Sequence, residues 1–113
     1  MIKERAINEF RAGHGIEAVY HFDGRESDHC FSHCVAMARR GEIYHAEPHY
    51  LQGWSEAVAM LSNDGSYEDT LRKAVWNVLG ASDQHRDILL RCPVLAIGVY
   101  IADNNMYITI RGK

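Results

Sequence analysis

The stretch Ser82-Asp83-Gln84-His85-Arg86-Asp87-Ile88-Leu89-Leu90 says most about this chain. A serine suited to cap a helix is followed by a histidine and then by an apolar run. An upstream counterpart exists, where His45 is followed by Ser55-Glu56-Ala57-Val58-Ala59. The order is more informative than any one piece: a helix, a histidine, an acidic turn, another helix and a second histidine precede a terminal hairpin rich in Ile and Val. Two separated histidines, His45 and His85, and one carboxylate, Glu56, thereby become candidate site residues.

Working outward, Ile2, Ala6, Ile7 and Phe10 recur at helical spacing and Gly13 and Gly15 break the pattern, which predicts a first helix of about three turns. From Ser27, an expected N-cap, Cys30, Phe31, Cys34, Val35, Met37 and Ala38 form an apolar stripe. Arg39 and Arg40 then complement the helix dipole before Gly41. Pro48 disfavours helical geometry at the residue before it, so His45-Ala46-Glu47-Pro48-His49 reads as extended or looped. A short helix is expected from Ser55. Ser66 with Asp69 resembles a capping box, after which Tyr67, Leu71, Ala74, Val75 and Val78 mark a buried face ending near Gly80. Ser82 can cap one more short helix. Leu95 to Ala102 and Met106 to Arg111 are β-rich and flank Asp103-Asn104-Asn105, which predicts a closing antiparallel hairpin. Helices around a small antiparallel sheet make an α+β domain.

The chain has 113 residues, enough for one domain over residues 1–113 that buries roughly two-thirds of its unfolded surface without a staple. An apolar fraction of 47% supports a folded core, and a formal charge of -3 offers no basic patch. The adjacent basic pairs Arg39-Arg40 and Arg72-Lys73 fall on solvated faces of expected helices, so nucleic acid is not an expected partner. No stretch is long and apolar enough to span a bilayer, and no signal-like run follows Met1. Cys30, Cys34 and Cys92 are odd in number and read as reduced thiols. Together these features favour a cytoplasmic chain, with secretion the alternative if an N-terminal signal was removed.

Taken together, the pieces resemble the CAP superfamily, named for cysteine-rich secretory proteins, antigen 5 and pathogenesis-related 1 proteins, and especially its short bacterial SCP-like members. Ile7-Asn8-Glu9-Phe10-Arg11-Ala12 resembles the opening N-x-x-R helix, Cys34-Val35-Ala36-Met37-Ala38 the second helix, and Tyr44-His45 the segment with the first site histidine. Ser55-Glu56-Ala57-Val58-Ala59 resembles the Gly-Glu-Asn-Ile-Ala motif, and Ser82 to Leu90 the Ser-Pro-Gly-His-Arg-x-x-Leu-Leu motif. Ala96-Ile97-Gly98-Val99-Tyr100 and Tyr107-Ile108-Thr109 resemble the last two strands. The resemblance implies an α-β-α sandwich in which His45, Glu56 and His85 meet in a cleft that binds divalent metal in some members. Departures are visible: Ser55 and Ala57 replace the motif glycine and asparagine, Asp83-Gln84 replaces Pro-Gly, and the family's second carboxylate has no clear counterpart before Ser82.

Two neutral imidazoles and a carboxylate can hold a borderline metal such as zinc with open positions for water. Against this, seven histidines in a chain of this length would place some pair near a Glu by chance. A Ser82–His85–Glu56 hydrolytic triad is the weaker reading, because Ser82 is better used as an N-cap and no Gly-x-Ser-x-Gly elbow exists. Cys30 and Cys34 are expected to pack as small hydrophobes, leaving His29 and His33 at the edge. Trp54, with Ser82 and Tyr107, is expected to line the cleft, while Trp76 is expected in the core. The functional expectation is a CAP-type binding module whose cleft, with metal ligands His45, His85 and Glu56, takes a divalent metal and a small ligand or peptide. A metal-assisted peptidase or esterase with Glu56 as general base is the alternative.

Overall fold

The computed structural model describes residues 2–19 and 21–113. Its elements run α1 (Ile2–Gly13), α2 (Gly24–Arg40), α3 (Pro48–Leu51), β1 (Ser55–Ser62), α4 (Tyr67–Lys73), α5 (Asp83–Arg91), β2 (Leu95–Ala102) and β3 (Asn105–Gly112). The strands form one antiparallel sheet in the order β1-β3-β2. The chain is therefore an α+β protein in which a small antiparallel sheet is flanked by helices.

The last strand is central, and both of its faces are covered, which is why Met106 to Gly112 is buried throughout. Side chains alternate across a strand, so Met106, Ile108 and Ile110 point one way and Tyr107, Thr109 and Arg111 the other. The first set joins Leu95, Ile97, Ala57 and Ala59 in the main core, together with Ile7 and Phe10 of α1, Leu71 of α4 and Leu89 of α5. The second set faces α2, where Tyr107 packs with Cys34, Met37 and Val58. Helices thus cover both faces of the sheet, the expected α-β-α layering.

Local signals explain most boundaries. The hairpin turns on Asp103 (φ 51°) and Asn104 (φ 64°), two successive left-handed residues joining Ala102 to its partner Asn105, as a type I′ turn requires. The Ser66 hydroxyl accepts the Asp69 N–H at 3.0 Å and caps α4. The Asn8 and Arg11 side chains of α1 fasten the fold: Asn8 exchanges two hydrogen bonds with the Val19 backbone, and Arg11 donates to the carbonyls of Glu17 and Leu89.

Four expectations are corrected. Ser55 begins a strand and not a helix, because pairing with β3 over the whole span Ser55 to Ser62 outweighs the helix propensity of its Glu, Ala, Met and Leu residues. α2 starts a turn earlier than Ser27: Asp23 is the N-cap and accepts the Glu26 N–H, while the Ser27 hydroxyl accepts the Ile97 N–H of the sheet. Pro48 starts the short α3 as its first residue, with Glu47 extended before it. After α4 the chain continues as a π-helical turn, Ala74–Leu79, closed by a Gly80 N–H to Val75 carbonyl bond of 2.7 Å. The wider turn moves the inward position from Val78 to Leu79, which is fully buried, and leaves Val78 and Trp76 exposed at 40% and 38%. Trp76 lies against Phe10 and His14 at the surface instead of in the core.

Candidate functional site

Glu56, the second residue of β1, and Arg111, near the end of β3, are direct cross-strand partners whose side chains point toward α2. Glu26 enters from the first turn of that helix. Arg111 bridges the two acids: its Nη1 donates to Glu26 Oε2 at 2.6 Å, and its Nε and Nη2 lie 2.9 Å from Glu56 Oε2. All three side chains are nearly closed to solvent, at 11%, 4% and 1% exposure for Glu26, Arg111 and Glu56. The cluster carries two carboxylates on one guanidinium, and its outer ends are histidines.

His45 Nδ1 lies 2.9 Å from Glu56 Oε1, which also accepts the Ala46 N–H at 2.9 Å. His29 Nδ1 lies 3.3 Å from Glu26 Oε1. An ionised carboxylate only accepts, so in neutral His45 and His29 the proton resides on Nδ1 and the lone pair on Nε2. Burial alone would raise the Glu56 pKa, but the hydrogen bonds from Ala46, His45 and Arg111 outweigh it and hold the carboxyl below its ordinary value. Burial likewise works against the charge on Arg111, and the Glu26 and Glu56 carboxylates overcome it. His85, on α5, is held below the ordinary imidazole range by partial burial and then by the charge of nearby His45. The pair of histidines is therefore within electrostatic reach.

A cleft of about 850 Å³ opens above the cluster, its walls including Arg25, His29, His33, His45, Trp54 and Lys113, with Glu26 and Arg111 reaching its floor. Trp54 packs on Cys30 and Ala96 and carries the Lys113 ammonium 4.7 Å above its ring, and it is the expected aromatic wall. Tyr107 does not line this cleft: its strand parity sends it under α2, where it is 4% exposed among Cys34, Met37 and Val58. Ser82 is at the N-cap position of α5 but makes no capping side-chain bond, and it lies outside the cleft lining, as does His85. His33 donates from Nε2 to the Tyr44 carbonyl at 2.7 Å and so holds the His45 segment against α2.

Among the described residues, no group of three or more His, Cys, Asp and Glu side chains is arranged to hold a metal ion. At Glu56 both oxygens are already engaged, by His45, Ala46 and Arg111. Glu26, His29 and Arg111 were absent from the expected site. Arg111 left a trace in the sequence, as a charge ending an apolar strand on the parity of Tyr107 and Thr109, and an inward arginine there requires carboxylate partners. Nothing local linked it to Glu26, which lies far away along the chain.

Cys30 and Cys34 are fully buried on the sheet-facing side of α2 and Cys92 is half-buried, all three free. Burial pushes the Cys34 thiol up to about 11 despite its bond to Thr109, and raises Cys30 and Cys92 as well. Iodoacetamide at mildly alkaline pH is therefore expected to modify Cys92 alone in the native protein and all three thiols in urea. Peptide mass mapping would read the result, and equal native labelling of Cys30 or Cys34 would contradict the packing of α2.

A three-stranded antiparallel sheet covered by helices on both faces makes this chain an α-β-α sandwich. No protein-family model and no curated protein matches the sequence. Solved structures do match. An outer surface protein from Borrelia burgdorferi superposes with a TM-score of 0.64 at 17% identity, covering 97% of this chain and 88% of that one. An extracellular SCP-domain protein from Bacillus anthracis str. Ames gives 0.59 at 19% identity, covering 95% of this chain and 38% of that one. NaASP2 solved with Zn2+ gives 0.56 at 12% identity, covering 98% and 74%. The chain has a CAP/SCP-like fold. No described helix is long and apolar enough to cross a membrane.

Proposed function

We propose that this chain is a CAP-type binding module whose cleft takes a small ligand or peptide beside a divalent metal, zinc being the natural test ion. The observation that carries the reading is the Glu56–His45 hydrogen bond of 2.9 Å, which turns His45 Nε2 outward as a lone-pair donor. A carboxylate behind a histidine fixes its tautomer and strengthens it as a ligand. His85, kept toward its neutral form, is the second imidazole. Glu56 itself does not fit as a ligand, since binding a metal would strip it from Arg111 and Ala46. His45 and His85 would thus hold the ion, which would supply open coordination positions for a ligand oxygen or nitrogen.

The same geometry argues for binding over hydrolysis. A general base works best with a pKa near the operating pH, and Glu56 is held below even its ordinary value with both oxygens engaged. The free thiols favour a reducing, cytoplasmic setting; the two bacterial neighbours described as outer-surface and extracellular proteins favour export. We adopt the cytoplasmic setting.

Calorimetric titration of metal-stripped protein with zinc tests the reading. Saturable uptake is expected near neutral pH, lost in His45→Ala and His85→Ala variants that remain folded, and weakened about 10–100-fold in Glu56→Gln. Uptake should also fall with pH as the imidazoles take up protons. Absence of uptake by the parent protein, or undiminished binding by both histidine variants, would remove the metal from the proposal.

A further inference from the structure

The charges around the cleft run against those of the chain. The whole sequence is at -3, yet the cleft lining holds Arg25, Arg40, Arg111 and Lys113 against Glu26 and Glu47. These cations differ in availability. Arg111 is consumed by Glu26 and Glu56, and Arg40 lies 2.7 Å from Glu42 with its guanidinium 4.1 Å over the Tyr44 ring. Arg25 and Lys113 make no ion pair among the described residues. Lys113 is held over the face of the buried Trp54, which fixes its ammonium on one wall of the cleft. At about 850 Å³ the cleft has the size of a small-molecule site and not of a flat protein interface.

We infer that the cleft selects small organic anions, ligands that join one carboxylate, sulfonate or phosphate to a planar apolar body, with the acid group held by Arg25 and by the Lys113 ammonium fixed over Trp54, and the apolar body lying in the cleft beside them. The buried Glu26–Arg111–Glu56 cluster sets the orientation. At the floor Arg111 is already paired with Glu26, whereas Arg25 and Lys113 are unpaired among the described residues, so the acid group is held by those two while the apolar body reaches inward. The inference rests on the reading of this cleft as a ligand site, and it does not depend on metal.

The test compares two probes of nearly the same shape, anilinonaphthalenesulfonate and the uncharged phenylnaphthylamine, in the presence of chelator, with quenching of tryptophan emission as the readout. The anion is expected to bind about tenfold more tightly, the effect of one to two partly solvated charge pairs. The double variant Arg25→Gln/Lys113→Gln should lose that preference at an unchanged melting temperature. Arg72→Gln, beside a different groove, should keep it. Equal binding of both probes, or a preference that survives the double variant, overturns the anion selectivity while leaving the cleft a ligand site. Binding of neither probe overturns the inference and the ligand-site reading together.

Discussion

Arg111→Met is expected to destabilise the protein by about 3–5 kcal/mol at neutral pH, because it leaves Glu26 and Glu56 buried without a counter-charge. The pH dependence gives the loss a signature. In the parent protein the Glu56 pKa lies below its unfolded value, so its contribution is present above roughly pH 4.3 and is lost as pH falls through the folded pKa. In the variant the Arg111 hydrogen bond and charge that lower the Glu56 pKa are gone while the burial that raises it remains, so the pKa rises and the stabilisation above roughly pH 4.3 is reduced. The deficit is then largest near neutral pH and shrinks as acidification protonates Glu56. Urea denaturation of both proteins from neutral pH down to about pH 4 would show the two stability curves converging. Removing all three charges in Glu26→Gln/Arg111→Met/Glu56→Gln should recover much of the loss, since an isosteric uncharged cluster has no ion to desolvate. A cost under about 1 kcal/mol, or one that does not change with pH, would mean that water reaches the cluster in solution.

Gly98→Ala is expected to cost about 3 kcal/mol or more and to loosen the site along with the core. A Cβ at Gly98 would fall 2.2 Å from the Phe31 nitrogen and 2.5 Å from the Cys30 carbonyl carbon, both backbone atoms of α2 that no rotamer change can move. The helix would have to lift from the sheet. Lifting it would stretch the Cys34 to Gly98 carbonyl contact of 3.4 Å and the Ser27 to Ile97 bond of 3.1 Å, and would draw Glu26 away from Arg111. The Cys30 thiol should accordingly become reactive to alkylation in the native variant. A stable Gly98→Ala protein with unreactive Cys30 would show that α2 is not seated on the sheet as described.

The readings that stood up rest on signals between near neighbours in the chain. The Ser66 cap, the left-handed pair Asp103–Asn104 and the arginines before Gly41 act within a few residues, and a helix end or a tight turn is decided on that scale. The His45–Glu56 contact was legible through the family resemblance, not through spacing, because the two lie eleven positions apart across a loop and a short helix. Tyr107 was misplaced for the opposite reason: an aromatic near a proposed cleft is indistinguishable in sequence from one under a helix until strand parity relative to α2 is known.

By itself the sequence determined α1, the apolar stripe and Gly41 end of α2, the Ser66 cap of α4, the place of α5 and the closing hairpin, since each follows from backbone preference and local side-chain bonding. Only the tertiary structure decided that Ser55 to Ser62 is a strand, that a π-helical turn exchanges Val78 for Leu79 in the core, and that Glu26 and Glu56 share Arg111. Those outcomes depend on β3 pairing with both other strands and on α2 closing over one face. Their free energy lies in contacts between residues up to 85 positions apart, which no local pattern in the chain records.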